Sequence, residues 1–493
     1  MTLRTVSMTL ASLLVAASSF AQPPPEPAAP LDLQPAADLI GPADQSNQAR
    51  TDNRACDGCP ARRVGRALWQ TTAINVIYGL ANLGRGQATA RITPKSWWDN
   101  MEQGWVWDLD DFVVNQIGHP YQGSNYYNSG RANGLSFYES AAIAAFGSAT
   151  WEYYGETNFP SLNDFINTTL GGIAIGEVLH RAAWLIRDPR STGRGRLWRE
   201  LGATVVDPVS GYNRFRTGDA SRAADKPADL APSSLGSVAA AGVLWRGTEE
   251  RAVNSSGQPF VEVDVLYGDF ETGRSRTPYD AFTMRLRLGG GGPVSEARIR
   301  GRLLGQPLTR GGLQFTVAQS YDFQDNDAYN FGAQSFEGIV GMTKRFSPTI
   351  ALSFFGSGGL TVLGAINSLP ADVEDVPEDE VDPDAPQGVS EGPRFYDYGP
   401  GSNFSGAVFL TRDRHIIAAF VYEGRQLFSL DGVRANHFLQ HIRADLVSPL
   451  RGPLGIGVSG EYFSRHTYFQ DAAATEREFW YPQFRAFLTW SFR

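Results

Sequence analysis

The chain has 493 residues, a formal charge of −9 and two cysteines. That length predicts two or three domains, since one hydrophobic core rarely organises so much chain. Residues 371–393 alone hold nine acidic side chains and no basic one, so the remainder is close to neutral and a nucleic-acid partner is excluded.

Residues 1–21 read as a secretory signal peptide. Arg4 supplies the positive start, residues 8–20 are mostly small or apolar, and Ser19-Phe20-Ala21 precedes the expected mature start at Gln22. The apolar run is too short to anchor the protein in a bilayer. Residues 22–62 are a Pro/Ala-rich leader whose composition cannot bury enough apolar surface to order itself. Within it, Cys56-Asp57-Gly58-Cys59 suits a local disulfide in an oxidising compartment. A redox pair would need a βαβ context, and zinc would need further ligands; neither follows.

Residues 63–190 carry helical periodicity. Residues 67–83 present Leu68, Ala73, Val76, Ile77, Leu80 and Leu83 on one stripe. Residues 97–117 predict a tryptophan-rich helix, and 135–154 with 161–186 predict a helical hairpin broken at Pro160. Ser161 and Asp164 have the spacing of a helix cap. Gly147, Gly171, Gly172 and Gly176 are costly inside helices unless close packing uses them. Residues 119–134, opening on His119-Pro120 and rich in Asn, Ser, Gly and Tyr, are expected to form an irregular loop.

Several residues here could carry chemistry. His119 could serve as a general base or nucleophile beside Glu139, Glu152, Asp164 or Glu177, with Arg131 or a tyrosine holding a phosphate. That set would suit a membrane-embedded, lipid-active hydrolase or transferase. Each residue also has a plainer role: His-Pro starting a turn, Asp164 capping a helix, Glu177 and Arg181 pairing one helical turn apart. Ser124 lies in no G-x-S-x-G elbow. No Cys/His set signals a metal, and no cofactor is expected.

The stretch 115–134, with Trp151-Glu152-Tyr153 and Glu156, Pro160-Ser161 through Asp164, Gly171-Gly172, and Gly176-Glu177 down to Arg181, resembles an uncharacterised bacterial envelope family known only as a domain of unknown function. The resemblance covers about residues 97–190. The helix pair also resembles, more faintly, VanZ-like and small envelope-lipoprotein helical families. None of these implies an established reaction.

Residues 191–235 are expected to be a linker, and 236–493 an outer-membrane barrel. In the last segment Phe484, Ala486, Leu488, Trp490 and Phe492 share one face, with Arg485, Thr489 and Ser491 on the other. That alternation suits a strand with lipid on one side and a wet lumen on the other. The near-terminal Phe492 resembles the closing aromatic of outer-membrane barrels, displaced by Arg493. Twelve such segments are predicted: 236–246, 258–269, 279–290, 294–306, 311–322, 329–344, 348–364, 402–412, 414–425, 434–448, 453–468 and 478–492. An even count with mostly short turns on the C-terminal side fits single-chain bacterial barrels.

In that register Arg285, Arg287, Arg298, Arg300 and Arg302 face the lumen beside Glu262, Asp264 and Glu296. They suit either a cross-strand ion-pair lattice or an anion-selective constriction. The acidic segment 365–401 is expected as an outer loop, with a divalent cation or a small solute as possible company. The expected fold class is an α+β membrane protein: an N-terminal helical domain followed by a C-terminal antiparallel transmembrane β-barrel of about twelve strands. The expected function is non-enzymatic, with the helical domain plugging or capping the periplasmic mouth for solute passage or envelope organisation. A lipid-active enzyme and a binding module for a periplasmic partner are the alternatives. Outer-membrane lipid and the barrel-assembly machinery are the expected partners.

Overall fold

The computed structural model describes residues 60–108, 111–247, 256–270, 275–309, 312–367, 396–413, 415–470 and 477–492. The signal peptide, most of the leader with Cys56 and Cys59, and the acidic segment 368–395 lie outside the described residues.

The second half of the chain is a closed barrel. Its strands are β1 (Leu235–Arg246), β2 (Gln258–Tyr267), β3 (Phe282–Gly289), β4 (Gly292–Pro307), β5 (Gln314–Asp325) and β6 (Asn330–Arg345). They continue as β7 (Ile350–Asn367), β8 (Tyr396–Arg412), β9 (His415–Phe428), β10 (Ala435–Pro449), β11 (Leu454–Phe469) and β12 (Arg477–Phe492). Each pairs antiparallel with its chain neighbours, and β1 closes on β12 from Ser237 opposite Phe492 to Arg246 opposite Gln483. All twelve predicted segments are strands. The largest difference is β8, which starts at Tyr396 rather than 402 because Tyr396 and Tyr398 pack against the helical half.

Strand alternation sorts the side chains. On the lumen side, Arg285 pairs with Asp264 (2.7 Å), Arg287 with Glu262 (2.7 Å), Arg298 with Asp322 (2.7 Å), Arg300 with Glu337 (3.0 Å) and Arg302 with Asp280 (2.9 Å). Other pairs join strands that are not neighbours: Arg287 to Glu461 (3.2 Å), Arg485 to Glu262 (2.9 Å) and Arg298 to Glu423. Such contacts are possible only through the lumen. On the opposite face, Phe354, Leu360, Phe420, Leu446 and Leu488 are exposed, with Leu360 71% accessible. A barrel with charge inside and apolar side chains outside is built for a nonpolar surrounding.

The first half is helical: α1 (Val64–Gly84), α2 (Pro94–Gln103), α3 (His119–Arg131), α4 (Phe137–Tyr154), α5 (Leu162–Ile166), α6 (Gly172–Ile186), α7 (Gly193–Val206) and α8 (Pro208–Thr217). Three expectations need correction. The 97–117 helix stops at Gln103 because Gly104 takes a left-handed φ of 72°. Residues 119–131 are not a loop but a buried helix that continues the π-helical turn Val114–Gly118; the Gln116 carbonyl, which Pro120 has no N–H to reach, accepts from Tyr321 instead. The linker 191–235 contains α7 and α8.

The helical half does not enter the barrel, contrary to the expected plug. Its contacts are with side chains of the outward parity. Tyr321 donates its hydroxyl hydrogen to the Gln116 carbonyl (2.6 Å), and Gln319 donates to the Leu170 carbonyl (2.9 Å). Trp107 stacks on Tyr398, and Phe137 on Tyr279. Tyr126, Tyr127, Ile173 and Val178 share one apolar cluster with Phe282, Ile299, Tyr321 and Phe323. The reason is steric and electrostatic, since charged side chains already occupy the lumen.

Glu461 lies within ion-pair distance of Arg287, Arg485 (2.6 Å) and His441 (3.7 Å). Glu461→Ala would take one carboxylate from two buried guanidiniums, which keep Glu262 and, for Arg287, Glu296, at a cost of about 1–3 kcal/mol. The expected result is a clearly lower temperature for the heat-induced mobility shift in detergent gels. An unchanged shift temperature would contradict the network.

Candidate functional site

The polar centre of the helical half depends on a close crossing of α3 and α6. A Cβ on Gly123 would lie 1.8 Å from the Thr168 carbonyl oxygen, and one on Gly172 would lie 2.5 Å from the Gly123 carbonyl carbon. Only glycine permits that approach. It sets the π-helical turn Asn167–Gly171 beside the start of α3.

His119 therefore faces Thr168 and Asp164: Nδ1 is 3.3 Å from Thr168 Oγ1, and Nε2 is 3.8 Å from Asp164 Oδ2. Ser161 caps α5 by accepting from the Asp164 N–H (3.3 Å). Asn163 donates to Asp164 Oδ1 (3.0 Å) and to the Tyr398 hydroxyl (3.2 Å), so the barrel wall contributes to this cluster. Glu152 accepts from the Ser161 N–H (2.8 Å). His119, Glu152 and Asp164 are all buried. Burial, with the Asp164 charge second, pushes the Glu152 carboxyl well above the ordinary carboxylate range. Two buried carboxyls, one of them with its proton affinity raised, beside an imidazole form an arrangement suited to proton transfer.

Arg131 and Glu177 form a second cluster. Glu177 accepts from the Tyr127 hydroxyl (2.8 Å) and pairs with Arg131 (2.9 Å) and Arg181 (2.8 Å). Arg181 also donates to the carbonyls of Asp229 (2.9 Å) and Pro278 (3.1 Å), tying α6 to the β2–β3 connection. Burial works to raise the Glu177 carboxyl, but the two guanidiniums outweigh it and hold it below its ordinary value. Glu139 joins neither cluster. It closes a reciprocal cap with Ser136 at the start of α4 and pairs with Arg62 (2.7 Å) at the surface.

Sequence reasoning did not single out Thr168, Tyr127, Asn163 or Tyr398 as members of these clusters. Tyr127 lies inside the unusual 119–134 stretch, which was a usable signal. Tyr398, 235 positions from Asn163, carries none. Nor was the buried His180–Asp207 pair (3.1 Å) anticipated. Among the described residues no group of His, Cys, Asp and Glu is arranged to hold a metal ion.

Residues 104–209 match the family described as a domain of unknown function (DUF3943), so the matched segment runs from the end of α2 into α8 and holds the helical residues of both clusters, with Tyr398 outside it. The barrel is similar to the NanC porin (7% identity, TM-score 0.26) and the KdgM porin (7%, 0.23), each over 52% of this chain and 99% of that one. A loop-deletion form of OmpT, an outer membrane protein of Vibrio cholerae, is similar at 8% identity and a TM-score of 0.21, with the same coverage. Likenesses this low carry no argument about function. No curated protein matches the sequence.

The two carboxylates predict opposite pH behaviour. Glu177, depressed in the folded state, stabilises above the ordinary carboxylate pKa of about 4.3, and that contribution is lost as pH falls through the folded value. Glu152, raised, contributes below about 4.3 and loses that contribution as pH rises through its raised value. Glu152→Gln keeps the acceptor for Ser161, so it should match wild type in protease resistance at pH 4 and equal or exceed it at pH 8. Glu177→Gln should be less resistant at pH 7. A Glu152→Gln protein matching wild type at pH 4 but weaker at pH 8 would show that the buried carboxyl is needed ionised.

Proposed function

We propose that the protein is an integral outer-membrane barrel of a Gram-negative envelope that acts as a membrane-held platform for its helical unit, in envelope organisation rather than as an open pore. The observation that carries this is the set of ion pairs reaching across the lumen, Arg287 to Glu461 and Arg298 to Glu423. A passing solute would have to separate charges that are already paired and largely removed from water, which is costly. Pairing also cancels the positive field that a ring of arginines would offer to anions. The outward apolar face and the signal-peptide-like start support the outer-membrane address, with insertion by the barrel-assembly machinery and contact with outer-membrane lipid following from it. The domains on this reading are a signal peptide (1–21), a leader (22–62), a helical unit from residue 63 through α8, and the barrel.

A second reading is favoured by the convergence of His119, Asp164 and Glu152: lipid-directed hydrolysis or transfer at the membrane, with His119 as base and Glu152 as acid. The cluster is buried, so this chemistry would require the helices to part.

Purified full-length protein in planar bilayers should give no steady porin-like current. A sustained open-channel current from wild type would overturn the platform reading in favour of solute passage. For the second reading, cells overproducing wild type should differ in lipid profile from those carrying His119→Ala; identical profiles would remove it.

A further inference from the structure

Two helices far apart in sequence share a polarity that is the reverse of a water-soluble domain's. On α1 the buried side is Ala67, Gln70 and Thr71, while Trp69, Val76, Ile77, Leu80 and Leu83 are exposed. On α7 the buried side includes Arg196 and Glu200, while Leu197, Trp198, Leu201 and Val205 are exposed. Trp69 and Trp198 are 69% and 70% accessible. A helix packed on a core in water turns its apolar stripe inward and its polar face outward.

Behind α1 the unit holds bonded polar side chains, beside the apolar cluster that faces the barrel. Asn133 donates to Gln70 (2.8 Å), Gln70 donates to Asn213 (3.2 Å), and Asn75 donates to the Gly147 carbonyl (3.2 Å). The unit is docked on the outward, apolar face of the barrel, the side that the barrel presents to its surroundings. No described helix is long and apolar enough to cross a membrane. Indoles on short helices instead suit the boundary between headgroups and acyl chains.

We propose that the exposed face of the helical unit is seated in the bilayer beside the barrel, in contact with phospholipid acyl chains through α1, α7 and the exposed Trp98 and Met101 of α2. This rests on the outer-membrane reading above. The unit is a lateral, lipid-facing body, and any chemistry of its polar centre would be reached from the lipid side.

The test uses full-length protein in nanodiscs of phosphatidylcholine or its acyl-brominated counterpart, which quenches indoles near the chains. Bromolipid should quench wild-type fluorescence. In the combined Trp69→Phe, Trp98→Phe, Trp198→Phe protein the quenched signal should fall by roughly the share of three among the eleven tryptophans. A triple variant quenched as strongly as wild type, with quenching that falls in Trp490→Phe on β12, would overturn this inference and leave the barrel reading intact. Absence of quenching in every form would overturn both. A cross-linked dimer of the wild type that disappears in the triple variant would reassign the face to a second copy and also overturn the proposal.

Discussion

Closing twelve strands into a barrel assigns every strand residue to the lumen or to the outside, and the rest of the molecule follows from that division. The lumen side is crowded with ionised groups that must find partners, since a lone charge removed from water is costly. Arg287 meets Glu262, Glu296 and Glu461, while Arg485 meets Glu262 and Glu461. His441, stacked on Phe463, sits between Glu423 and Glu461. These pairs stitch opposite walls together and leave the lumen as a packed ionic core. Nothing as large as the helical unit could share that space.

The outer wall, unlike the charged lumen, offers a large apolar surface on which the helical unit buries side chains. It takes up strands from β2 to β8, through Tyr267 and Phe282 at one end and Ala365, Tyr396 and Tyr398 at the other. Hydrogen bonds from Tyr321 and Gln319 to helical backbone carbonyls give the contact a defined register. Because one side of the unit meets the wall and bonded polar side chains lie behind α1, its remaining apolar side chains face outward. The lateral position and the reversed polarity of α1 and α7 are two consequences of the same constraint.

Close packing of α3 on α6 then places ionisable groups where water is scarce. The two carboxylates respond in opposite directions for one reason. Glu177 has two guanidiniums within ion-pair distance and stays ionised, whereas Glu152 has burial and the neighbouring charge of Asp164 against it. The Glu177 cluster, anchored through Arg181 to the barrel, has the character of a structural tie. The Glu152 cluster, with an imidazole beside two buried carboxyls, has the character of a site.

Much of this was legible in the chain. Short alternating segments marked all twelve strands, and the same parity put five arginines on the lumen side, because a two-residue period is a local property that needs no partner to be seen. The helices 64–84 and 137–154 were likewise readable from their stripes, and the Glu177–Arg181 pair from its spacing of four. Three things depended on the folded chain. The 119–131 helix has a composition that favours turns, and only burial between α4, α6 and the π-helical turn makes it helical. Tyr398 joins Asn163 across more than two hundred residues, a relation no local pattern encodes. Whether the helical unit would lie in the mouth or on the wall turned on which lumenal charges found partners across the barrel. Sequence periodicity says which face a side chain is on; what stands opposite that face is a property of closure in three dimensions.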